Sequence, residues 1–425
     1  MNGGLKTLAM AMLAVLLMAG TAIASGFGIY EWSGRSNAMG GATYANTRDA
    51  STVATNPSGM TDLEGTHLLT GVSAIAPKAI VDFDNAAYND STGKSNVWLP
   101  PHAYVSHQLS EDFWIGAGVF SRFGLGTEFE ETWAGRYNMM DASIESVSFT
   151  PVLAYRLNDQ WSFSAGPEFM YMRFQQGKTV DNINVKDPTT TTSDTHAKLD
   201  GDSTDVGGVF AVTYKPLDWV TTALTYRTQV EHKIVGDATF SPIGAVNPLG
   251  AYTTTAGAHG VITLPDSLTL AVAIKPMDKL TVEADILYTR WESYQELRIN
   301  YDRQLIPGVA ASTQSVTEKA WRNTFRYQLG VEYALYDWLD LRAGYIYDQS
   351  PICDDHADYM VPANDRQLYS AGVGLNLDNW TVDLSYIYLS SDERAYNNRP
   401  AEGVYSGEAH DLETHIVGVS LGYKF

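Results

Sequence analysis

The sequence predicts an all-β fold, a 14-stranded antiparallel transmembrane β-barrel with an N-terminal plug inside its lumen. No apolar run after residue 25 approaches the roughly 18–20 residues that a membrane-spanning helix needs. Many segments alternate between apolar and polar residues, as strands do when one face meets lipid and the other faces a lumen. Tight turns also alternate with long loops. Besides helices, only a closed barrel satisfies all backbone hydrogen bonds inside a membrane.

Residues 1–24 have the layout of a secretory signal peptide. Lys6 precedes an apolar run that starts near Leu8, and the segment ends in Ala22-Ile23-Ala24. The short apolar core, the small-residue end and the glycine-rich sequence that follows favour a cleaved signal over a signal anchor or a transmembrane helix. We therefore predict cleavage after Ala24 and export of a chain that starts at Ser25.

The composition excludes several classes of protein. Cys353 is the only cysteine, so no intramolecular disulfide can form. The net charge of −21 argues against binding to nucleic acid and against docking on an anionic membrane through basic residues. The acidic loops could hold divalent cations, but simple solvation is the interpretation that we favour.

Six tight turns divide the chain at intervals of 41 to 60 residues. Each contains an aspartate, a residue whose side chain bonds the nearby backbone and tolerates left-handed geometry. These aspartates are Asp112, Asp159, Asp218, Asp278, Asp337 and Asp378. A tryptophan directly follows five of the turns: Trp114, Trp161, Trp219, Trp338 and Trp380. We expect these tryptophans to form an aromatic girdle at one membrane interface.

The turns and loops fix the number of strands. Seven long loops alternate with the six turns, which makes 13 connections and hence 14 strands between residues 65 and 425. A soluble β-sandwich could also alternate, but it would not need long loops on one side only. This asymmetry is typical of barrels in the outer membrane of Gram-negative bacteria, and we expect the chain there.

The C-terminal stretch HIVGVSLGYKF permits two interpretations. Gly418 to Gly422 fits the G-x-S-x-G motif of serine hydrolases, with Ser420 as the nucleophile. That motif needs a helix after the serine, and only three residues follow Gly422. The same residues alternate as a strand with Ser420 toward the lumen. We therefore predict that the match to the hydrolase motif is fortuitous and that the protein is not an enzyme. A strand that ends on Phe425 is the kind of signal that barrel-assembly machinery reads.

Residues 25–64 do not alternate as a strand. They are rich in Gly, Ala, Asn and Ser, yet they carry Phe27, Tyr30 and Trp32 and are too apolar for a disordered tail. We predict that this segment forms a plug inside the barrel, and the alternative is a disordered periplasmic tail. Asn56 precedes Pro57 and should therefore be extended.

Several stretches carry a resemblance to a known family. They are SGFGIYEWSGRSNAMGGA, DASTVATNPSGM, FGLGTEFEETWAGRY, TLPDSLTLAVAIKP, YQLGVEYALYDWLDLRAGYIYDQSPI and NDRQLYSAGVGL. Together they resemble the FadL/TodX (OMPP1) family of outer-membrane transporters for long-chain fatty acids and aromatic hydrocarbons. The resemblance covers essentially the whole chain after the signal peptide. The family's Asn-Pro-Ala motif reads Asn56-Pro57-Ser58 here.

The resemblance implies a hatch, a capture site and a lateral exit. Asn56, Pro57 and Ser58 would belong to the gating hatch. Ligand would be captured on the extracellular loops and released sideways through the wall near a kinked third strand. That strand is FWIGAGVFSRFGLGTEF, and Gly124 and Gly126 are the predicted kink residues, because glycine within a strand marks bends.

The predicted ligand contacts are of two kinds. Arg173 and Lys178, near the end of strand five, could bind a carboxylate at the barrel mouth, or could simply be solvated. Apolar loop residues could receive an apolar ligand or pack on one another, namely Ile243, Val246, Leu249 and Tyr252. The cluster CDDHAD at 353–358 is irregularly spaced, so we expect solvation rather than a metal site.

The predicted function is passive, ligand-gated uptake of hydrophobic compounds such as long-chain fatty acids or hydrocarbons. No nucleotide-binding loop is present, and we expect no cofactor. The expected partners are the hydrophobic ligand, outer-membrane lipid and lipopolysaccharide, and the assembly machinery. A general diffusion porin is the first alternative, and an adhesin or phage receptor is another.

Overall fold

The computed structural model describes residues 26–181, 186–190, 194–242, 254–305 and 310–425. The predicted signal peptide lies outside the described residues. The four predicted loop contacts, Ile243, Val246, Leu249 and Tyr252, also lie outside them.

Fourteen antiparallel strands close into one barrel, as the sequence predicts. In chain order they are β1 (Thr66–Phe83), β2 (Pro101–Gln108), β3 (Phe113–Phe120 and Gly124–Glu128), β4 (Asp141–Arg156), β5 (Trp161–Asp181), β6 (Asp194–Leu217), β7 (Val220–Arg227 and Val230–Pro242), β8 (Thr255–Leu264 and Ser267–Met277), β9 (Leu280–Thr289 and Glu296–Tyr301), β10 (Gln314–Glu318 and Thr324–Tyr336), β11 (Leu339–Asp348), β12 (Arg366–Leu377), β13 (Trp380–Ser391 and Arg394–Tyr396) and β14 (Gly407–Lys424). Each strand pairs with the next, and β14 pairs with β1, from His67–Lys424 to Phe83–Gly407. The barrel therefore has no long unpaired edge.

The helices are short. The N-terminal segment contains α1 (Gly34–Ala38), α2 (Thr52–Thr55) and a 3₁₀ turn (Pro57–Asp62). The loops contain further 3₁₀ turns, at Ala134–Tyr137, Trp291–Ser293, Ala310–Thr313, Asp354–His356 and Pro400–Glu402. In the described part of the chain, no helix is both long and apolar enough to cross a membrane.

The tight connections carry the six predicted aspartates. Asp112, for example, lies between β2 and β3, and Asp378 lies between β12 and β13. Asp378 has a φ of 53°, the left-handed conformation that Asp and Asn tolerate better than other side chains. Because consecutive strands are antiparallel, all six turns lie at one end of the barrel and the seven longer loops lie at the other.

The predicted alternation along the strands is confirmed. On β14, Val417, Val419 and Leu421 are 56%, 40% and 42% exposed on the outer face of the wall, while Ser420 is fully buried on the inner face. The outer face of a membrane barrel meets lipid, so exposed aliphatic side chains belong there.

One of the five predicted girdle tryptophans was assigned to the wrong face. Trp338 and Trp380 are 51% and 47% exposed, as a girdle requires, but Trp114 is fully buried. Phe113 and Ile115 occupy the outward positions of β3, so the period of two in a strand turns Trp114 inward. There its indole N–H donates to the Leu63 carbonyl at 2.8 Å.

The N-terminal segment, residues 26–64, contacts inward-facing side chains from many strands. Arg35 pairs with Glu332 of β10 at 2.9 Å, and Gly34 N–H donates to Ser420 of β14 at 2.7 Å. Further contacts reach β1, β6 and β9, through the pairs Asn37–Ser73, Asn56–Thr213 and Ala45–Glu283. Because these five strands lie around the whole circumference, the segment is bounded by the barrel wall on several sides.

Among the residues that the structure describes, two large buried apolar clusters and one smaller one occupy the interior. One surrounds the N-terminal segment and includes Trp32, Val53, Met60 and Trp114. A larger cluster joins the loops to the upper strands; among its members are Phe27, Trp133, Trp291, Trp321 and Tyr359. The interior of this barrel is therefore packed with apolar side chains at the level of the loops.

The buried position of Trp114 yields a stability prediction. Trp114→Ala should lower the free energy of unfolding by about 3–5 kcal/mol, because it removes a buried indole and leaves a cavity. Trp338→Ala, on the outer face, should lower the free energy of unfolding by less than half as much. Urea-induced unfolding in phospholipid bilayers measures both, and equal losses would show that Trp114 does not support the interior.

Candidate functional site: a break in the barrel wall

Strand β3 is interrupted between its two halves, at residues 121–123. The first half pairs with both neighbours, from Gln108–Trp114 to Ala103–Val119 on β2 and from Phe113–Tyr155 to Phe120–Ser148 on β4. The second half, Gly124–Glu128, pairs with β4 but not with β2. The wall therefore loses one of its lateral contacts beyond the break.

The N-terminal segment supplies hydrogen-bond partners at the break. Ile29 N–H donates to the Arg122 carbonyl at 2.7 Å, and Gly124 N–H donates to the Phe27 carbonyl at 2.9 Å. The Trp32 indole N–H donates to the Ser121 carbonyl at 2.8 Å. A buried backbone group without a partner is costly, so the segment satisfies groups that strand β2 leaves open.

Strand β1 also has a partly open edge on this side. Its pairing with β2 ends at Val72–Pro101, and beyond it lie an isolated bridge, Ile75–Trp98, and a two-residue ladder at Ile80–Thr92 and Val81–Ser91. The first long loop crosses the space, because Lys94 N–H donates to the Glu128 carbonyl at 2.8 Å. The wall between β1 and the second half of β3 is thus closed by a loop rather than by a ladder.

A cavity of about 480 Å³ lies at this break. Its inner lining includes Phe27, Ile29, Phe123 and Leu389, and its lining also includes Leu99 and Val147, which are exposed on the outside. The volume falls within the range of small-molecule sites, and most of the lining is apolar. The cavity therefore extends from the interior to the outer surface of the wall.

The two predicted kink residues line this cavity. Gly124 and Gly126 lie in the second half of β3, directly after the break rather than at it. A Cβ atom on Gly124 would lie 2.3 Å from Ile29 Cδ1, and one on Gly126 would lie 1.9 Å from the Trp98 ring. A side chain at Gly126 would overlap the indole ring of Trp98, whereas one at Gly124 would require only the tip of Ile29 to shift.

Two pairs of arginines stand beside the break, and each pair shares one carboxylate. Glu168 accepts from Arg122 at 2.9 Å and from Arg227 at 3.2 Å, and all three side chains are buried. Asp348 in turn pairs with Arg326 at 2.8 Å and with Arg366 at 2.7 Å. The second pair lines the cavity, and the Arg326 guanidinium lies 4.4 Å from the centre of the Tyr30 ring.

Asn56, Pro57 and Ser58 attach the N-terminal segment to β6. The Asn56 amide donates to the Tyr44 carbonyl at 2.7 Å and to Thr213 at 2.9 Å. Ser58 Oγ lies 2.7 Å from Thr213 Oγ1, and Pro57 occupies the first position of a 3₁₀ turn, where its missing N–H does no harm. The hydroxyl of Ser58 thus adds a contact with the wall.

The structure places Arg173 and Lys178 differently from each other. Arg173 faces outward on β5 and pairs with Asp200 at 2.7 Å, with 42% of its side chain exposed. It is not among the residues that line the cavity at the break, and its predicted role as a ligand contact at the barrel mouth stays a prediction. Lys178 is on the same, inward-facing side of β5 as the buried Met172 and Phe174. No described carboxylate lies within 4.0 Å of its ammonium group. Its predicted role as a ligand contact stays a prediction.

The acidic cluster at 353–358 is dispersed over different partners. Asp354 pairs with Arg394 at 3.2 Å, the Asp355 carboxylate accepts from Asn397 at 3.2 Å, and Asp358 pairs with the buried Lys319. No group of three or more His, Cys, Asp or Glu side chains in the described ranges is arranged to hold a metal ion.

Ser420 lies within strand β14 and not on a strand–turn–helix elbow. Its hydroxyl accepts from Gly34 N–H and lies 2.9 Å from His102 Nε2. No described group binds His102 Nδ1, so no third residue orients the imidazole as a nucleophile's base requires. This serine and histidine hold the N-terminal segment against the wall.

Sequence reasoning missed the arginines at the break. Asp348 and Arg366 lie in two of the stretches that carry the family resemblance. In the alternation of β11, Asp348 occupies an inward-facing position. The available signal was the occurrence of charged residues at inward positions of membrane strands, where they face the interior and need partners. Which charge meets which depends on strand register.

The shared carboxylate of Glu168 yields a second stability prediction. Glu168→Gln should lower the free energy of unfolding by about 3–5 kcal/mol, because it leaves two buried guanidinium groups without a counter-charge. As a control, Asp302→Asn removes the exposed partner of Arg303 and should have no measurable effect. Unfolding of both variants by urea in bilayers tests this, and an unchanged midpoint for Glu168→Gln would contradict it.

Comparisons with known proteins agree with this architecture. The chain is similar to a putative outer membrane protein of Neisseria meningitidis, with 26% identity over 96% of this chain and 98% of that protein. It is also similar to the long-chain fatty acid transport protein of Escherichia coli, with 24% identity over 97% of each chain.

Solved structures show the same fold. That of a Pseudomonas aeruginosa FadL homologue superposes with a TM-score of 0.82 at 19% identity, over 94% of this chain and 100% of the other. That of the Pseudomonas putida toluene transporter TodX gives 0.71 at 18% identity, with the same coverage of both chains. The family model described as outer membrane protein transport protein (OMPP1/FadL/TodX) matches residues 15–425. This chain therefore belongs to the OMPP1/FadL/TodX family and is a protein of the Gram-negative outer membrane.

Proposed function

We propose that this protein takes up hydrophobic compounds passively and releases them sideways through the break in β3, with the N-terminal segment as the gate. The observation that carries the proposal is the apolar cavity that extends through the wall at the break. The names of the relatives support hydrophobic cargo, because they include a long-chain fatty acid transport protein and a toluene transporter.

A lateral route suits apolar cargo for a simple physical reason. Each methylene group that moves from hydrocarbon into water costs about 0.8 kcal/mol, so a ten-carbon segment in a wet channel would meet a barrier of about 8 kcal/mol. A cavity lined by Phe27, Ile29 and Leu389 that opens toward lipid avoids most of this barrier. Transport down a concentration gradient then needs no energy source.

The N-terminal segment is suited to act as a gate because it contacts both the broken strand β3 and the distant strand β6. It hydrogen-bonds to the broken strand through Phe27 and Ile29, and it is attached to β6 through Asn56 and Ser58. A shift of the segment would alter the cavity and the interior at the same time. A general porin is less well supported, because this segment and the apolar clusters occupy the interior.

Other expected partners remain predictions. The side chain of Phe425 is 69% exposed at the turn end of β14, where assembly machinery could read it. Binding of lipopolysaccharide and a role as an adhesin or phage receptor also stay predictions.

The cavity predicts a specific defect in uptake. Cells that lack their own transporters should take up oleate or toluene, but not arabinose, when they produce the wild type. Gly124→Leu should reduce uptake of the apolar solute at least five-fold, because the new side chain fills the cavity beside Ile29. Gly257→Leu is the matched control on β8, where a Cβ atom would meet nothing closer than the Asp302 carboxylate at 3.2 Å. Arabinose uptake as fast as that of the apolar solutes would indicate a porin instead.

The gate can be tested by locking it. Ser58→Cys with Thr213→Cys, in a Cys353→Ser background, should form a disulfide, because the two hydroxyl oxygens lie 2.7 Å apart. Oxidation should reduce uptake of the apolar solute at least five-fold, and dithiothreitol should restore it. Each single-cysteine variant is the control for oxidation itself. Unchanged uptake by the fully cross-linked protein would show that this attachment does not move during transport.

A further inference from the structure

We propose that Asp285 of β9 is a neutral carboxylic acid that shares its proton with Glu283, and that loss of this proton at alkaline pH loosens the attachment of the N-terminal segment to the wall. Neither residue lines the cavity at the break. The shared proton does not depend on the proposed function, whereas its consequence for uptake rests on the segment acting as the gate.

Glu283 and Asp285 are on the same, inward-facing side of β9, because they are two residues apart on the strand. They are 0% and 1% exposed, so both carboxyl groups are shielded from bulk water. The two side chains are in hydrogen-bond contact with each other. Two ionised carboxylates are both acceptors and cannot form such a bond. The contact therefore requires a proton on one of them.

The proton belongs on Asp285 because Glu283 already has donors. The Glu283 carboxylate accepts the Ala45 N–H at 2.6 Å and the Asn46 N–H at 2.9 Å, and such bonds stabilise an ionised carboxylate. The Tyr44 backbone approaches Asp285, but no donor group of the described residues makes a well-aligned hydrogen bond to either of its oxygens. An isolated buried carboxylate would be very costly, whereas a neutral acid donates its O–H to Glu283.

The groups that face the pair offer no counter-charge to Asp285. Among the described residues, no lysine, arginine or histidine forms an ion pair with either carboxyl group. Arg35 of α1 is the cation that acts on Glu283, and its guanidinium is already paired with Glu332 at 2.9 Å. The phenol of Tyr44 lies near Asp285 on the side of the N-terminal segment. The neighbouring strands present only uncharged residues directly opposite the pair, namely Ala271 and Ala273 on β8 and Gln328 and Gly330 on β10.

The direction of the pH effect follows from the number of bound protons. The folded protein holds one proton at this pair, whereas the aspartate of an unfolded chain is ionised near neutral pH. The folded state therefore binds more protons, and the contribution of this contact to stability falls as the pH rises. Once the proton is lost, two like charges share one buried site. Their repulsion is relieved when residues 44–46 move away from β9 and admit water.

These residues lie in the middle of the attachment of the N-terminal segment. Arg35 holds the segment to β10 on one side, and Asn56 holds it to β6 on the other. Between them, Ala45 and Asn46 bond to the wall through Glu283. A change of charge at this one point therefore frees the centre of the segment while both sides stay attached. With the segment as the gate, uptake of an apolar solute should be faster at alkaline than at acid pH.

The test uses Asp285→Asn, because the amide keeps a donor for Glu283 and has no proton to lose in this range of pH. Hydrogen exchange at Ala45 and Asn46 is measured on the purified, folded protein in bilayers, from about pH 6 to about pH 10, and is corrected for the intrinsic exchange rate. Protection of these amides should fall at least about ten-fold over this range in the wild type, and less than about two-fold in Asp285→Asn.

Infrared spectroscopy detects the proton itself. At about pH 7 the wild type should show the carbonyl stretch of a protonated carboxylic acid, and this band should be absent from Asp285→Asn. Asp302→Asn, which removes the exposed partner of Arg303, is the matched control for both measurements and should behave as the wild type. The shift of folded barrels on unheated gels confirms folding of each variant.

Three results would overturn the proposal. They are an acid band that is the same in the wild type and Asp285→Asn, wild-type protection that does not change with pH, and an Asp285→Asn protein that is less protected than the wild type at every pH or fails to fold. The last result would indicate that an ionised carboxylate is needed, as in a site for a bound cation. Protection that depends on pH, together with uptake that does not, would support the shared proton and overturn the segment's role as the gate.

Discussion

The structure depends on one constraint, that every backbone hydrogen bond of a membrane wall must be made within the protein. Most of the wall meets this constraint through ladders, but the second half of β3 lacks β2 as a partner, and β1 is only partly paired beyond Val72. Phe27, Ile29 and Trp32 of the N-terminal segment instead form hydrogen bonds with residues at or next to the break: Gly124, Arg122 and Ser121, respectively. The segment that contacts the inward-facing side chains therefore also completes the wall.

The charges of the interior are distributed unevenly around this break. Around α1 the charges balance: Arg35, Arg48 and Arg342 face Glu332, Asp340 and Asp383. Beside the break, two carboxylates serve four arginines. The network around α1 holds the segment against the wall, because a buried charge that lost its partner would be costly.

Sequence reasoning succeeded where the signal is local. The turn aspartates and the period of two gave the strand number and the inward or outward direction of most side chains, because both depend on neighbours along the chain. It failed for Trp114, because the position of this residue after a turn was given more weight than its place in the inward–outward alternation of β3. For Arg173, nearness to the barrel mouth did not say which face the side chain occupies, and the structure places it on the outer face.

The sequence by itself determined the barrel, its 14 strands, the side of its long loops and the apolar character of the N-terminal segment. The glycines of the third strand pointed to the region where the wall is interrupted, but only the tertiary structure decided which charges meet there. Asp348 is 22 residues from Arg326 and 18 from Arg366, and only the register of three strands brings them into one row. Register arises from the summed fit of whole strands and of the closed barrel, so no local pattern in the sequence reveals it.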